Sequence, residues 1–192
     1  MRCSASVPPS PLLVTTVFVT HLFTFGPIYA FGVFLPLLRE HFDLSIDAAS
    51  AVHSLMVTSQ FVGSLVAGML MPHYVTQRTV ALMCSLWLTA GFAWASFAQS
   101  IVELYLAMVP IGFGLGMFNL AALTALNTRV KERRPLAVGL ATSGTSVGTI
   151  CLPPIYSVTV EASDWRWALR ISGASTGIAL TLCALTFYVP PA

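Results

Sequence analysis

Charge is scarce in this sequence. Of its 192 residues 8% are charged, where an ordinary globular domain carries about 25%. With 56% hydrophobic residues and a mean hydropathy of +0.82, the chain has too few ionic groups for a water-facing surface and reads as a membrane protein. A formal net charge of +2, with no basic stripe interleaved with aromatics, excludes nucleic acid as a partner. Cysteine is nearly as sparse. Cys3, Cys84, Cys151 and Cys183 show no metal-like spacing, and three of them lie in apolar stretches where a small buried hydrophobe is the expected role. Neither a disulfide framework nor a metal site is implied. No cofactor is expected. No nucleophile stands with a base and an orienting partner, and the serines and threonines of the apolar stretches can bond backbone carbonyls or neighbouring helices, so an enzyme is not expected either.

What the sequence has is long apolar runs. Six stretches are long enough to span a bilayer, at about 11–38, 48–71, 79–99, 101–127, 135–157 and 166–189. The first is too long for the apolar region of a cleaved signal peptide and is kept as a helix, bent at Gly26-Pro27 where proline removes a backbone donor. Short polar connections leave no room for a soluble domain, so 1–192 reads as a single all-α bundle of six transmembrane helices.

Basic residues orient the bundle. With a cytoplasmic N-terminus, Arg2, Arg78, Arg129, Lys131, Arg133 and Arg134 lie inside while Arg39, Arg166 and Arg170 lie outside. The positive-inside rule therefore favours cytoplasmic N- and C-termini. The cluster Arg129-Val130-Lys131-Glu132-Arg133-Arg134 becomes the loop between spans 4 and 5, and Pro135 opens span 5 where a missing amide hydrogen costs nothing. Arg166 and Arg170 can snorkel beside Trp165 and Trp167 as interfacial anchors.

Glycine spacing predicts how the helices meet. Gly112 with Gly116, Gly144 with Gly148, and Gly173 with Gly177 are small-xxx-small pairs, and Ser64 with Gly68 is a weaker one. The run Gly112-Phe113-Gly114-Leu115-Gly116 is not a nucleotide loop, because no strand precedes it. Among ionisable residues only His21 and His53 lie clear of the span ends, where such groups usually face a cavity or a partner. His21, Phe25 and Tyr29 recur at i, i+4 and i+8 and share one helix face over about 12 Å. Two roles are open to His21: a neutral histidine bonded to another helix, or a proton-sensing group in an aqueous cavity.

The segment "LYLAMVPIGFGLGMFNLAALTALNTRVKERRPLAVGLATSGTSVGTICLPPI" resembles the span 4 to span 5 signature of the monocarboxylate transporter family, within the major facilitator superfamily. Its core is Arg133-Arg134-Pro135-Leu136-Ala137, followed by Gly139-Leu140-Ala141 and Ser143-Gly144. "FGPIYAFGVFLPLLREHFDLS" is similar to the end of helix 1 in that family and in oxalate/formate antiporters. "QRTVALMCSLWLTAGFAWASFA" is similar to helix 3, and Asp164-Trp165-Arg166 to the turn into helix 6. The resemblance implies one half of a twelve-helix fold, its six helices arranged as two three-helix inverted repeats, with the C-terminal half absent. It implies a multi-pass protein of the plasma membrane.

The same resemblance implies transport of a small organic anion, possible only by alternating access between two halves, with protons as a second cargo. Phe25, Tyr29 and Asn119 are the implied lining groups near the midplane, and Arg134 matches a functional arginine of the family. The chain departs from the pattern at several points. Pro8-Pro9-Ser10-Pro11 replaces an acidic-glycine-aromatic motif, and His73 stands near a usual aspartate. Tyr29 stands where proton-coupled members carry a lysine, and Phe25 and Val138 replace a tyrosine and an asparagine. Implied partners besides the bilayer are a second half, a dimer mate or a single-span chaperone. A second function stays open: a truncated, non-transporting membrane protein that associates with or regulates full-length relatives.

Overall fold

The computed structural model describes residues 11–71, 75–130 and 133–187. Arg2, Cys3, Pro8, Pro9, Ser10, His73, Lys131, Glu132 and the residues after Phe187 lie outside them. Among the described residues six helices are long and apolar enough to cross a membrane. Span 1 is α1 (Pro11–Tyr29) continued by a 3-10 turn (Ala30–Val33), and a short helix α2 (Leu35–Phe42) follows it. Spans 2, 3 and 4 are α3 (Ile46–Leu70), α4 (Gln77–Ser96) and α5 (Ile101–Arg129). Span 5 is α6 (Arg134–Thr142) with α7 (Gly144–Ala162), and span 6 is α8 (Trp165–Thr186).

Side-chain oxygens start four of these helices by taking amide hydrogens that have no helical acceptor. Ser45 accepts from Ala48 at 3.2 Å, Thr76 from Thr79 at 3.3 Å, Ser100 from Glu103 at 3.3 Å and Asp164 from Trp165 at 2.7 Å. The Glu103 carboxylate in turn accepts from the Gln99 amide at 2.8 Å.

Two stretches expected as continuous helices are divided. The helix predicted over 11–38 passes through Pro27, leaves α geometry at Ala30 and restarts at Leu35 with a proline in its first turn. The new helix α2 ends at Asp43 in the left-handed region, φ 50, and its exposed Arg39, Glu40 and His41 suit an interface rather than hydrocarbon. The helix predicted over 135–157 divides at Ser143. There Thr142 and Ser143 donate their hydroxyls to the Val138 and Leu140 carbonyls at 2.9 and 2.7 Å, competing with the helix ladder. α7 then runs to Ala162 through Pro153 and Pro154.

The helices pack in a pattern with internal symmetry. α3 lies along α5, α1 along α7 and α4 along α8, while α4 also packs on α5 and α8 on α1. Exchanging spans 1 with 4, 2 with 5 and 3 with 6 maps this set of pairs onto itself. Two inverted three-helix repeats require that property.

Glycines permit the closest approaches. A Cβ on Gly112 would collide with the Met56 carbonyl, and one on Gly116 with the Gln60 carbonyl, so α5 and α3 meet backbone to backbone. Gly144 and Gly148 of α7 lie in the same way against the Phe18 and Leu22 carbonyls of α1. Gly173 and Gly177 of α8 instead meet the side chains of Phe92 and Thr89. Ser64 adds a hydrogen bond from its hydroxyl to the Gly116 carbonyl at 3.1 Å. Leu104, Met108, Leu115 and Phe118 are buried in the centre, whereas Phe61, Leu65 and Ile150 are exposed, as lipid-facing residues should be.

Candidate functional site

The α1 face identified by its spacing forms a ladder of rings. The His21 and Phe25 ring centres are 5.7 Å apart, and those of Phe25 and Tyr29 are 6.4 Å apart and stacked. Exposure rises along it: His21 is 3% exposed, Phe25 half-buried and Tyr29 56% exposed. The neighbouring faces of α1 are covered. α7 lies on the Phe18 and Leu22 backbone. α8 holds Thr16 through the Thr186 hydroxyl at 3.0 Å and the Cys183 thiol at 3.6 Å. Tyr29 and Gly32 remain open.

His21 takes neither of the positions that its sequence context suggested. Its Nδ1–H donates to the Val17 carbonyl of its own helix at 2.9 Å, because a carbonyl can only accept. The ring is buried, out of reach of an aqueous cavity in this conformation. Asn119 on α5 is half-buried, and its Oδ1 is buried with no hydrogen-bond partner. The oxygen and nitrogen of such an amide exchange by a flip, so this position can offer either an acceptor or N–H donors.

Arg134 is not part of the ladder. Its Nε donates to Asn127 Oδ1 at 2.9 Å, and both its neighbours Arg133 and Pro135 are exposed. Arg133 adopts the left-handed conformation, φ 51, immediately before α6. Because α7 runs parallel to α1 with Gly144 opposite Phe18, counting residues along both helices puts Arg134 and Tyr29 about 30 Å apart along the bundle axis at about 1.5 Å per residue. Arg129 reaches the other side of the same end, donating to the Phe187 carbonyl at 3.2 Å. Asn127 was overlooked in the sequence, where only its place at the polar end of span 4 marked it.

His53 is the other ionisable residue that the sequence places clear of the span ends. Its Nε2 is buried without a partner, and its ring stacks on Phe31 with centres 5.4 Å apart. Phe31 also lines a small cavity of about 10 Å³, together with Phe34, Met56, Phe92, Tyr156 and Ser172 among others. Its two polar side chains satisfy each other, Tyr156 donating to Ser172 at 2.9 Å, which leaves an apolar packing void. Cys84 and Cys183 are buried and Cys151 is exposed. Among the described residues no three His, Cys, Asp or Glu side chains come together as a metal site would need.

A family model described as Major Facilitator Superfamily matches residues 17–192. The chain is 30% identical to monocarboxylate transporter 11 of Homo sapiens over 173 residues, covering 90% of this chain and 36% of that protein. It is 30% identical to monocarboxylate transporter 2 of Mesocricetus auratus over 191 residues, 94% of this chain and 38% of that protein. The chain thus spans well under half the length of these curated relatives. Among solved structures it is similar to the peptide transporter POT in complex with sulfate, with a TM-score of 0.80 at 16% identity over 95% of this chain and 40% of that one. It is also similar to the proton:xylose symporter XylE bound to 6-bromo-6-deoxy-D-glucose, with a TM-score of 0.71 at 14% identity over 94% of this chain and 44% of that one. At such identities the structural likeness speaks for the fold alone.

Proposed function

Because the chain belongs to the Major Facilitator Superfamily, we propose that it is part of a secondary transporter that moves small organic anions across a membrane by alternating access. The observation that carries this reading is the face of α1 that opens from buried His21 to exposed Tyr29. The unpartnered Asn119 amide on α5 adds a polar group with unused hydrogen-bonding capacity. Aromatic faces with a few unsatisfied polar groups suit a small ligand with one charged end. The monocarboxylate transporters among its relatives support a carboxylate as that end. In this reading Phe25, Tyr29 and Asn119 line the substrate path, and the Tyr29 hydroxyl and an Asn119 N–H take the place of a lysine in meeting the anion.

Arg134 serves a different station. Its guanidinium is exposed and, among the described residues, its partner is a neutral amide, which leaves its positive charge to meet an anion at the cytoplasmic mouth. The path is completed by a second six-helix unit, supplied by more of the same protein, by another copy or by an associated chain. The plasma membrane is the proposed location, with the Arg133–Arg134 loop on the cytoplasmic side.

The test is cysteine accessibility at position 29. In a Tyr29→Cys variant, lactate or pyruvate should slow labelling by a membrane-impermeant maleimide. Equal labelling with and without either anion would remove Tyr29 from the substrate path.

A further inference from the structure

At the end of the bundle opposite Arg133 and Arg134, α8 begins with two arginines that do more than reach toward water. Arg166 donates through Nη2 to the Ala98 carbonyl at 3.0 Å, and Arg170 through Nε to the Ser96 hydroxyl at 3.2 Å. Both side chains therefore fold back onto the C-terminal end of α4, where a cation is favoured by the helix dipole. Each guanidinium has five N–H donors, so most of them stay available. Among the described residues neither arginine has a carboxylate partner. Asp164 accepts from the Trp165 amide and Glu103 from the Gln99 amide.

The arginines also sit among exposed rings. The Arg170 guanidinium lies 4.8 Å from the Phe97 ring centre and 4.9 Å from that of Trp167, and both rings are exposed. Directly below, along the i, i+4 ridge Arg166, Arg170, Ala174, Ile178 and Leu182, an open groove of about 450 Å³ runs between α8 and α4. Its lining is Thr89, Ala174, Gly177, Ile178, Thr181 and Leu182. Its two hydroxyls are spent inside their own helices, Thr89 on the Ser85 carbonyl at 2.9 Å and Thr181 on the Gly177 carbonyl at 2.7 Å. The groove therefore offers hydrocarbon and nothing to water. From Ala174 to Leu182 it extends about 12 Å at about 1.5 Å per residue, a little under half of a hydrocarbon core about 30 Å thick.

We propose that this α4–α8 face is a specific glycerophospholipid site, with the headgroup phosphate held by Arg166 and Arg170 and one acyl chain lying in the groove below. The positive charge and spare planar donors meet the phosphate. Trp167 flanks the headgroup region, where amphipathic rings settle, with the exposed Phe97 ring beside the same guanidinium. The dry groove continues from the arginines in the direction an acyl chain must take.

Native mass spectrometry of the detergent-purified protein, titrated with dioleoylphosphatidylglycerol, tests the site. The wild-type chain should retain one lipid. Retention should fall about tenfold or more when both guanidiniums are lost in R166Q/R170Q, since charge-assisted bonds are the strong ones. It should fall similarly in Ala174→Trp, which fills the groove from its exposed side and leaves both arginines in place. Inorganic phosphate at millimolar concentration should not displace the lipid. Equal retention by the wild type and both variants would overturn the site. Displacement by inorganic phosphate together with an unaffected Ala174→Trp variant would also overturn it, in favour of a simple phosphate-ion site. Should R166Q/R170Q fail to fold for want of the contacts to α4, Ala174→Trp decides alone, and undiminished retention there is contrary to the proposal.

Discussion

Asn119 separates structure from function at the scale of one residue. A buried polar atom without a partner costs about 1–3 kcal/mol, so if the Asn119 amide is kept for a substrate, Asn119→Leu should leave thermal stability unchanged or raise it while weakening substrate protection of the α1 face. A clear loss of stability, measured by thermal unfolding in detergent, would mark the amide as structural instead. His21 poses the complementary question. Its ring is buried against Phe25 at the closed end of the ladder, so it can sense protons only in a conformation that opens that end. If it does, His21→Gln should flatten the pH dependence of uptake, and an unchanged profile would reject a proton-sensing role. The ladder itself was legible in the sequence because three rings at i, i+4 and i+8 must share a face in any helix. The burial of His21 was not, since it depends on how the helices pack around α1. Nor was the pairing of Arg134 with Asn127, which requires the chain to turn at Arg133.

At the scale of the helix, hydropathy located the six spans but not their interruptions. The turn at Ala30–Val33 and the break at Ser143 arise from proline and from hydroxyls that bond backbone carbonyls, and such local competition leaves the apolar run intact. The glycine pairs identified positions of close approach, yet their spacing could not distinguish backbone contact from side-chain contact. Gly116 lies against the Gln60 carbonyl, whereas Gly139 has open space around it. Gly116→Ala should accordingly destabilise the bundle by about 1–3 kcal/mol through overpacking. Gly139→Ala, inside α6, should be neutral or stabilising by up to about 1 kcal/mol because alanine favours the helix. Melting temperatures of the two variants check the pair, and a similar loss in both would show that helix approach does not depend on these contacts.

At the scale of the whole molecule, the symmetric set of helix pairs was foreseeable only through the resemblance to a known family, because composition and spacing carry no information about which helices touch. The arginine cluster carries the proposed orientation, so alanine at both Arg133 and Arg134 should weaken the proposed cytoplasmic placement of that loop in a protease-protection assay. Wild-type protection would leave the loop without an orienting role. Transport itself is most directly measured as uptake of radiolabelled lactate and pyruvate by cells expressing the native-length gene product, compared with the same cells expressing a Tyr29→Ala variant. Saturable uptake of at least one of the two anions, reduced by about tenfold or more in the variant as for loss of a hydrogen-bonding contact to a charged group, is the expected result. Uptake no greater than in cells lacking the protein, or uptake indifferent to Tyr29→Ala, would contradict an organic-anion path along this face of α1.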